Sequence, residues 1–151
     1  MTQAAGEDWK RSILSGPYTA KLATVRQDGR PHVSPIWFDL DGESVVFMTG
    51  RTTAKGVNLR RDPRVALCID DELPPFAFVT IEGLAEVIEA PPPGEQLAWA
   101  IRIAGRYMGA SRAEEFGTRN AVPGEMLVRV RPARILTQPW AADWHPRPFA
   151  P

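Results

Sequence analysis

Two Asp-Gly pairs set the strongest constraint on how this chain folds. Asp28-Gly29 and Asp41-Gly42 each separate runs in which apolar and polar residues alternate, and this dipeptide favours the tight turn of a β-hairpin. The sequence therefore predicts a meander of three strands, over residues 19–25, 32–39 and 44–48. Pro35 has no amide hydrogen for a sheet ladder, so the middle strand is predicted to lie at an edge or to contain a bulge.

The rest of the chain adds helices and further short strands. Thr52 or Thr53 is placed to cap a short helix that ends at Asp62-Pro63, and a second, amphipathic helix is predicted over 95–116. Its apolar spacing comes from Leu97, Ile101, Ala104 and Met108. The further strands are predicted at 65–69, 76–87 (with a bulge or bend at Gly83) and 126–130, and a Pro- and Trp-rich tail at 134–151.

These elements predict a mainly β fold, a small antiparallel barrel with helices outside it. A doubly wound parallel sheet is disfavoured because the strands do not alternate with helices. We divide the chain into a lead-in with a short helix through Trp9, Ile13 and Leu14 (residues 1–17), a barrel domain (18–139) and the end of the tail (140–151).

Composition excludes several classes of protein. Eighteen basic residues balance eighteen acidic ones, which argues against bulk electrostatic binding to nucleic acid. One cysteine, Cys68, excludes a disulfide framework and a cysteine-based zinc site, and we interpret it as a core residue. No apolar run approaches the roughly 18 residues of a membrane helix, and no signal segment opens the chain. A cytoplasmic protein without a metal site or a membrane span is expected.

Positive charge is concentrated in one segment. Five basic residues and one acidic residue lie between Arg51 and Arg64. The short helix begins inside this segment, so its free amides, neighbouring hydroxyls and Lys55 are placed to converge on one anion. A small molecule that carries a phosphate fits this pattern better than a polymer, because the rest of the chain is not basic.

No arrangement of side chains indicates nucleophilic or acid–base catalysis. The chain lacks a nucleophile elbow, a Walker loop and a dinucleotide fingerprint. His32 has no nearby carboxylate and is interpreted as solvated or packed, and Glu114 and Glu115 as a solvated face. Trp140 and Trp144 predict that the tail docks on the body of the protein, on a ring-shaped ligand or on a partner.

Two segments resemble the pyridoxamine-phosphate-oxidase-like, split β-barrel flavoproteins. LATVRQDGRPHVSP, residues 22–35, is similar to the opening hairpin of that family, and TAKGVNLRRDPRV, residues 53–65, to its phosphate segment. With IEGLAEV at 81–87, the resemblance covers about residues 18–87. It looks most like the actinobacterial branch that uses the deazaflavin coenzyme F420. The resemblance implies a homodimer with cofactor sites at the subunit interface.

The resemblance also implies which residues bind the cofactor. Lys55, with Arg51 and Thr52, would hold its phosphate, and Asn58 would brace the phosphate loop. The remaining implied contacts are Met48 and Thr49 beside the ribityl chain and ring, Ser34, Pro35 and Ile36 along the ring edge, Pro75 and Phe76 from the other subunit, and Trp140 and Trp144 closing the site.

The implied activity is hydride transfer from reduced F420 to a small conjugated acceptor, which needs no catalytic dyad. His32 and Tyr107 are the candidate proton donors. Because Pro35 cannot donate a backbone hydrogen bond to the ring, an FMN-dependent oxidoreductase on the same fold stays open. So do an F420 carrier without turnover and a dimeric interaction module without a cofactor. Oxidation of pyridoxamine phosphate is disfavoured, because the chain is short and lacks a basic set for a second phosphate.

Overall fold

An antiparallel sheet forms the body of the protein in the computed structural model, which describes residues 2–3, 10–11, 13, 16–73 and 76–138. Within these residues the sheet has eight strands. They are β1 (Thr2–Gln3), β2 (Ala20–Val25), β3 (Pro31–Ile36), β4 (Phe38–Asp41), β5 (Ser44–Gly50), β6 (Arg64–Asp70), β7 (Phe78–Ile88) and β8 (Glu125–Gln138). The helices are α1 (Ala54–Arg61), α2 (Pro93–Met108) and α3 (Ala113–Asn120), with a 3-10 turn at Ala110–Arg112.

The two ends of the sheet are neighbours along the chain. The strand order is β3-β2-β6-β7-β8-β5-β4, with β1 paired to β8, and Trp37 alone separates β3 from β4. The sheet therefore curls into a half-barrel whose ends meet at Trp37. The predicted antiparallel barrel with outer helices is confirmed, and Pro35 lies in the edge strand β3 as expected.

The predicted three-strand meander is wrong in one respect. The run 32–39 is not one strand: its first part, β3, pairs with β2, and its second part, β4, pairs with β5. Both Asp-Gly turns form, with positive φ at Gly29 and Gly42. Ile36, Trp37 and Phe38 form an unbroken apolar run, so the pattern of apolar residues does not mark the break.

Two further elements differ from the prediction. The helix predicted over 95–116 is two helices, because Gly109 adopts φ 84° between α2 and α3. Leu97 is exposed, whereas α2 buries Trp99, Ala100, Ile103 and Ala104. The last strand is longer than predicted, since β8 continues through Gln138 and pairs with β7 along its length. The irregularity expected at Gly83 is confirmed: the register of β7 and β8 shifts between Glu82 and Gly83, and the extra residue, Ala133, lies in β8.

The main core fills the inside of the half-barrel. Phe38, Phe47, Leu22, Leu67 and Ile81 are fully buried there. A smaller cluster, Val46, Trp99 and Leu127, lies beneath α2 on the other face. Removing each large apolar side chain from water contributes about 1.5–3 kcal/mol, and the two clusters hold the sheet and α2 together.

Cys68 is not a core residue. It lies on the outer face of β6, half-buried, opposite Lys21 and Thr80 in the neighbouring strands. Alternation along β6 places Val65, Leu67 and Ile69 inside instead. Partial burial raises the pKa of the Cys68 thiol, which opposes thiolate reactivity.

Polar side chains of α2 hold the point where the sheet turns. Tyr107 stacks on Trp37, with 4.8 Å between ring centroids. Its hydroxyl donates to the carbonyl of Tyr18 at 2.9 Å and accepts the amide of Phe38 at 3.2 Å. Arg106 donates to the carbonyl of Phe38 at 3.0 Å. The turn at Trp37 is thereby fixed in one position.

Part of the chain predicted to form the lead-in lies outside the described residues. Of Trp9, Ile13 and Leu14, the structure describes Ile13, which is buried. No helix in the described part of the chain is long and apolar enough to cross a membrane. Among the same residues, no group of three His, Cys, Asp or Glu side chains is arranged to hold a metal ion.

Candidate functional site

The turn between β5 and α1, residues 50–56, is built around the hydroxyl of Thr53. This hydroxyl donates to the carbonyl of Gly50 at 2.9 Å and accepts the amide of Gly56 at 3.1 Å. The hydroxyl of Thr49 lies 3.0 Å away and must be the donor in that pair, because the proton of Thr53 is already used. Thr53 is therefore the N-cap of α1, as the sequence predicts, and its hydroxyl has no capacity left for a ligand.

Close packing at Gly56 fixes the start of α1 against the end of β5. A Cβ at this position would overlap the carbonyl oxygen of Gly50. The amides of Ala54 and Lys55 precede the first intrahelical hydrogen bonds and need an outside acceptor. Arg51, Thr52 and Ala54 are exposed and Lys55 is half-buried. The β5–α1 turn thus presents amides, a hydroxyl and a cation together at the surface, which is suited to an anion.

Asn58 anchors α1 on the sheet. It is buried, and its Nδ2 donates to Oγ1 of Thr24 at 3.0 Å. Both groups lie inside, so this bond satisfies two polar side chains that would otherwise be costly to bury. Asn58 therefore fixes the position of α1 and has no exposed side chain at the turn.

Carboxylates offset much of the basic cluster. Glu89, which follows β7, pairs with Arg51 at 3.3 Å and with Arg60 at 3.1 Å. Asp62 pairs with Arg64, and the Arg64 side-chain hydrogen bond lowers the pKa of that carboxyl to about 2. Lys55 makes no ion pair within the described part of the chain. Lys55 is therefore the cation at the turn that is left for a ligand.

The edge strand β3 carries two buried polar atoms without a partner in the part of the chain that the structure describes. These are Oγ of Ser34 and Nδ1 of His32. Both residues point to the same face, since their positions alternate with the exposed Val33 and Pro35. A buried hydroxyl without a hydrogen bond costs about 1–3 kcal/mol. The hydroxyl of Ser34 is therefore buried at this cost on the face of β3 that it shares with His32.

A cleft of about 210 Å³ lies between the sheet and the helices. Its lining includes Trp37, Met48, Glu125 and, from the end of α3, Arg119 and Asn120. Partial burial raises the pKa of Glu125, and the charge of Lys55 acts in the opposite direction. Glu125 therefore borders both the cleft and the β5–α1 turn.

The predicted site residues fall on different faces of the structure. Met48 packs with the cluster beneath α2, whereas Thr49 is buried on the opposite face of β5. The side chain of Ile36 is in the main core, so its backbone is the part that remains for a ligand. Phe76 is exposed and has φ 60°, a conformation that is rare for a bulky residue. Pro75, Trp140 and Trp144 lie outside the described residues.

Some residues at the site have no local signal in the sequence. Glu89 follows Arg51 by 38 positions, and Glu125 reaches the turn because β8 pairs with β5. Tyr107, predicted as a candidate proton donor, forms hydrogen bonds to backbone groups of Tyr18 and Phe38 instead. Burial raises the pKa of its phenol. Within the described ranges, Nδ1 of His32 has no hydrogen-bond partner.

Comparison with known proteins identifies the family. The family model described as "Pyridoxamine 5'-phosphate oxidase" matches residues 7–139. A pyridoxine/pyridoxamine 5'-phosphate oxidase of Sinorhizobium fredii is 27% identical over 164 residues, covering 95% of this chain and 76% of that protein.

Solved structures agree with this result. A conserved hypothetical protein of Mycobacterium tuberculosis has a TM-score of 0.74 and 25% identity, covering 89% of this chain and 85% of that one. A protein named F420 Reductase has a TM-score of 0.65 and 28% identity, covering 83% of this chain and 94% of that one. The resemblance seen in the sequence and the split-barrel fold it implies are confirmed, and the chain belongs to the pyridoxamine 5'-phosphate oxidase family.

Proposed function

We propose that this protein binds F420 and, with the coenzyme reduced, catalyses hydride transfer to a small conjugated acceptor. Membership of an oxidoreductase family supports redox chemistry in general. The choice of F420 is supported by the similarity to the F420 Reductase, 28% identical and matched over 94% of its chain. The observation that carries the binding part of the proposal is the β5–α1 turn, where Lys55 makes no ion pair within 4 Å among the described residues.

The residues of the turn would hold the phosphate. Lys55 would donate a charge-assisted hydrogen bond, and the first amides of α1 would complete the set of donors. Arg51 would have to leave or share Glu89, and Thr52 has an exposed side chain at the same turn. Thr53, Gly56 and Asn58 position these groups without touching the ligand.

The edge of the ring would lie along β3. The buried hydroxyl of Ser34 would have to turn outward to reach the ring, and Pro35 and Ile36 would contribute their carbonyl oxygens and apolar surface. F420 in its reduced form supplies the hydride. The acceptor would then occupy the cleft beside Trp37 and Met48. The proton is assigned to solvent, because Tyr107 is committed to two backbone groups.

We further propose that the protein is a homodimer with the site completed by the second subunit. Val33 and Leu84 are 62% and 56% exposed. Beside Leu84, a shallow groove is lined mainly by apolar atoms, from residues that include Ala23, Pro31 and Ala133. Exposed apolar surface of this kind is typical of an interface. Phe76 would reach the neighbouring subunit's site.

The enzyme and carrier alternatives are separated by one experiment. Protein loaded with reduced F420 is mixed anaerobically with a quinone or an activated alkene, and recovery of the oxidised deazaflavin absorbance is followed. Reoxidation that requires protein and saturates with the acceptor is the expected result. Tight binding without any reoxidation by a panel of such acceptors would indicate a carrier and contradict the proposed activity.

An FMN-dependent oxidoreductase is the second candidate. It is favoured by the similarity to the pyridoxine/pyridoxamine 5'-phosphate oxidase of Sinorhizobium fredii. On this alternative the same turn would hold the phosphate of FMN, and FMN would bind more tightly than F420.

A further inference from the structure

Glu125 introduces a negative charge at the candidate phosphate site. It is the first residue of β8 and pairs with Gly50, the last residue of β5. Its Oε1 lies 3.3 Å from the position that a Cβ on Gly50 would occupy. The next backbone bond, from the amide of Arg51 to the carbonyl of Gly124 at 2.9 Å, holds the two chains together. The backbone of Glu125 is therefore fixed beside the β5–α1 turn, and its carboxylate lies next to Gly50.

The positive charges at the β5–α1 turn are largely balanced by nearby carboxylates. Arg51 and Arg60 share Glu89, and Lys55 faces Glu125 closely enough to influence the pKa of its carboxyl. Partial burial raises that pKa, so negative charge is already unfavourable at this position. Each additional negative charge brought to the turn by a ligand is repelled by Glu125.

The two candidate cofactors differ in the charge at this point. The phosphate of F420 is a diester, which carries one negative charge. The phosphate of FMN is a monoester, which carries between about 1.5 and 2 negative charges at neutral pH. We infer that Glu125 is a specificity-determining residue, which disfavours a doubly charged phosphomonoester and favours a singly charged phosphodiester. This inference rests on the proposed binding of a cofactor phosphate at the β5–α1 turn.

Selection by repulsion needs no additional contact with the preferred ligand. Lys55 attracts either phosphate, and Glu125 subtracts more from the affinity of the one with the higher charge. The sequence contains no sign of this arrangement, because Glu125 is 70 positions from Lys55 and comes to the turn through the pairing of β5 with β8.

The test is the Glu125→Gln variant, which removes the charge and preserves the shape of the side chain. Dissociation constants for F420, FMN, riboflavin and the phosphate-free deazaflavin are measured by fluorescence at about pH 8, where the monoester is a dianion. The ratio of the FMN constant to the F420 constant is expected to fall about three- to tenfold. The two phosphate-free ligands are expected to bind as they do to the wild type.

Glu43→Gln is the matched control, because Glu43 lies in the turn at the opposite end of β5, and it should leave the ratio unchanged. Circular dichroism checks the fold of each variant, and Glu125→Thr replaces the glutamine variant if the latter does not fold. An unchanged ratio, or an equal gain for both cofactors, would overturn the inference. A wild type that prefers FMN would contradict the proposed function instead, and Glu125 would still be tested by the affinity of FMN relative to riboflavin.

Discussion

Lys55 is the residue on which cofactor binding depends most directly. Replacing it with alanine should weaken F420 binding by about ten- to a hundredfold, because a hydrogen bond to a charged group contributes roughly 1.5–3 kcal/mol. Lys21→Ala is the matched control. Lys21 lies away from the turn, and its Nζ is 2.6 Å from Oδ1 of Asp70. Equal affinities for the wild type and Lys55→Ala in a fluorescence titration would remove Lys55 from the site.

Tyr107 is expected to stabilise the fold without transferring a proton. Tyr107→Phe removes the bonds to the carbonyl of Tyr18 and the amide of Phe38, so the free energy of unfolding should fall by roughly 1–3 kcal/mol. Thermal or urea unfolding measures the loss. A large fall in turnover by a folded variant, with a shifted pH profile, would assign the proton to Tyr107 instead.

Tyr107 also makes the free energy of unfolding depend on pH above about pH 10. Burial raises the pKa of Tyr107, so the folded state keeps the phenol proton to a higher pH than the unfolded state does. Its contribution is complete below the ordinary pKa of about 10 and is lost as the pH rises through the folded value. The stability gap between wild type and Tyr107→Phe should therefore narrow above about pH 10. A gap that widens there would contradict this reading.

For individual residues, the sequence predicts those of the β5–α1 turn but not the carboxylates that interact with them. The motif around Lys55 and the cap at Thr53 are local and can be read directly. Glu89 and Glu125 are distant from the turn in the sequence. Their charges act on the turn only in the folded sheet, which brings both residues close to it. The unpaired hydroxyl of Ser34 is likewise a property of packing.

Among the elements, the contact between α1 and β5 requires glycine at position 56. Gly56→Ala should push the helix away from the carbonyl of Gly50, lower the free energy of unfolding by about 1–3 kcal/mol and weaken cofactor binding. Gly94→Ala is the control, because Gly94 has open space around it in the first turn of α2, where alanine is favoured by about 0.5–1 kcal/mol. Equal stability and binding for wild type and Gly56→Ala would show that the helix start is adaptable.

The elements that the sequence misjudges have identifiable causes. The apolar residues over 95–116 pack against two different elements. One face of α2 packs on the sheet, whereas Ile101 contacts α3 at Gly117, where a Cβ would overlap Ile101. In β8, Pro132 and three arginines obscure the strand. Pro132 is tolerated because it lies opposite Gly83 and next to the bulge that Ala133 forms in β8.

At the level of the whole molecule, residues 139–151 at the end of the chain are expected to contribute to dimerisation or to the site. Deleting residues 139–151 should weaken cofactor binding or dimerisation if Trp140 and Trp144 close the site. Light scattering gives the oligomeric state, and titration gives the affinity. A truncated protein that remains a dimer with full affinity and activity would show that the tail is dispensable.

At the same scale, the strand pairings β2–β6 and β5–β8 join distant segments. Local alternation identifies most of the strands and leaves their order open. The resemblance to a known family implies a split barrel, and that fold is confirmed, whereas the order of the strands is known from their pairing in the structure. The residues on each rim, and so the charges at the site, follow from the pairing.

The most direct test of the central claim is a parallel titration of the purified protein with F420 and FMN, followed by intrinsic tryptophan fluorescence. Tight binding of F420 with weak binding of FMN is the predicted result. A preference for FMN would contradict the deazaflavin assignment and identify a flavin-dependent oxidoreductase. Binding of neither would contradict both, and the β5–α1 turn would need another anion as its ligand.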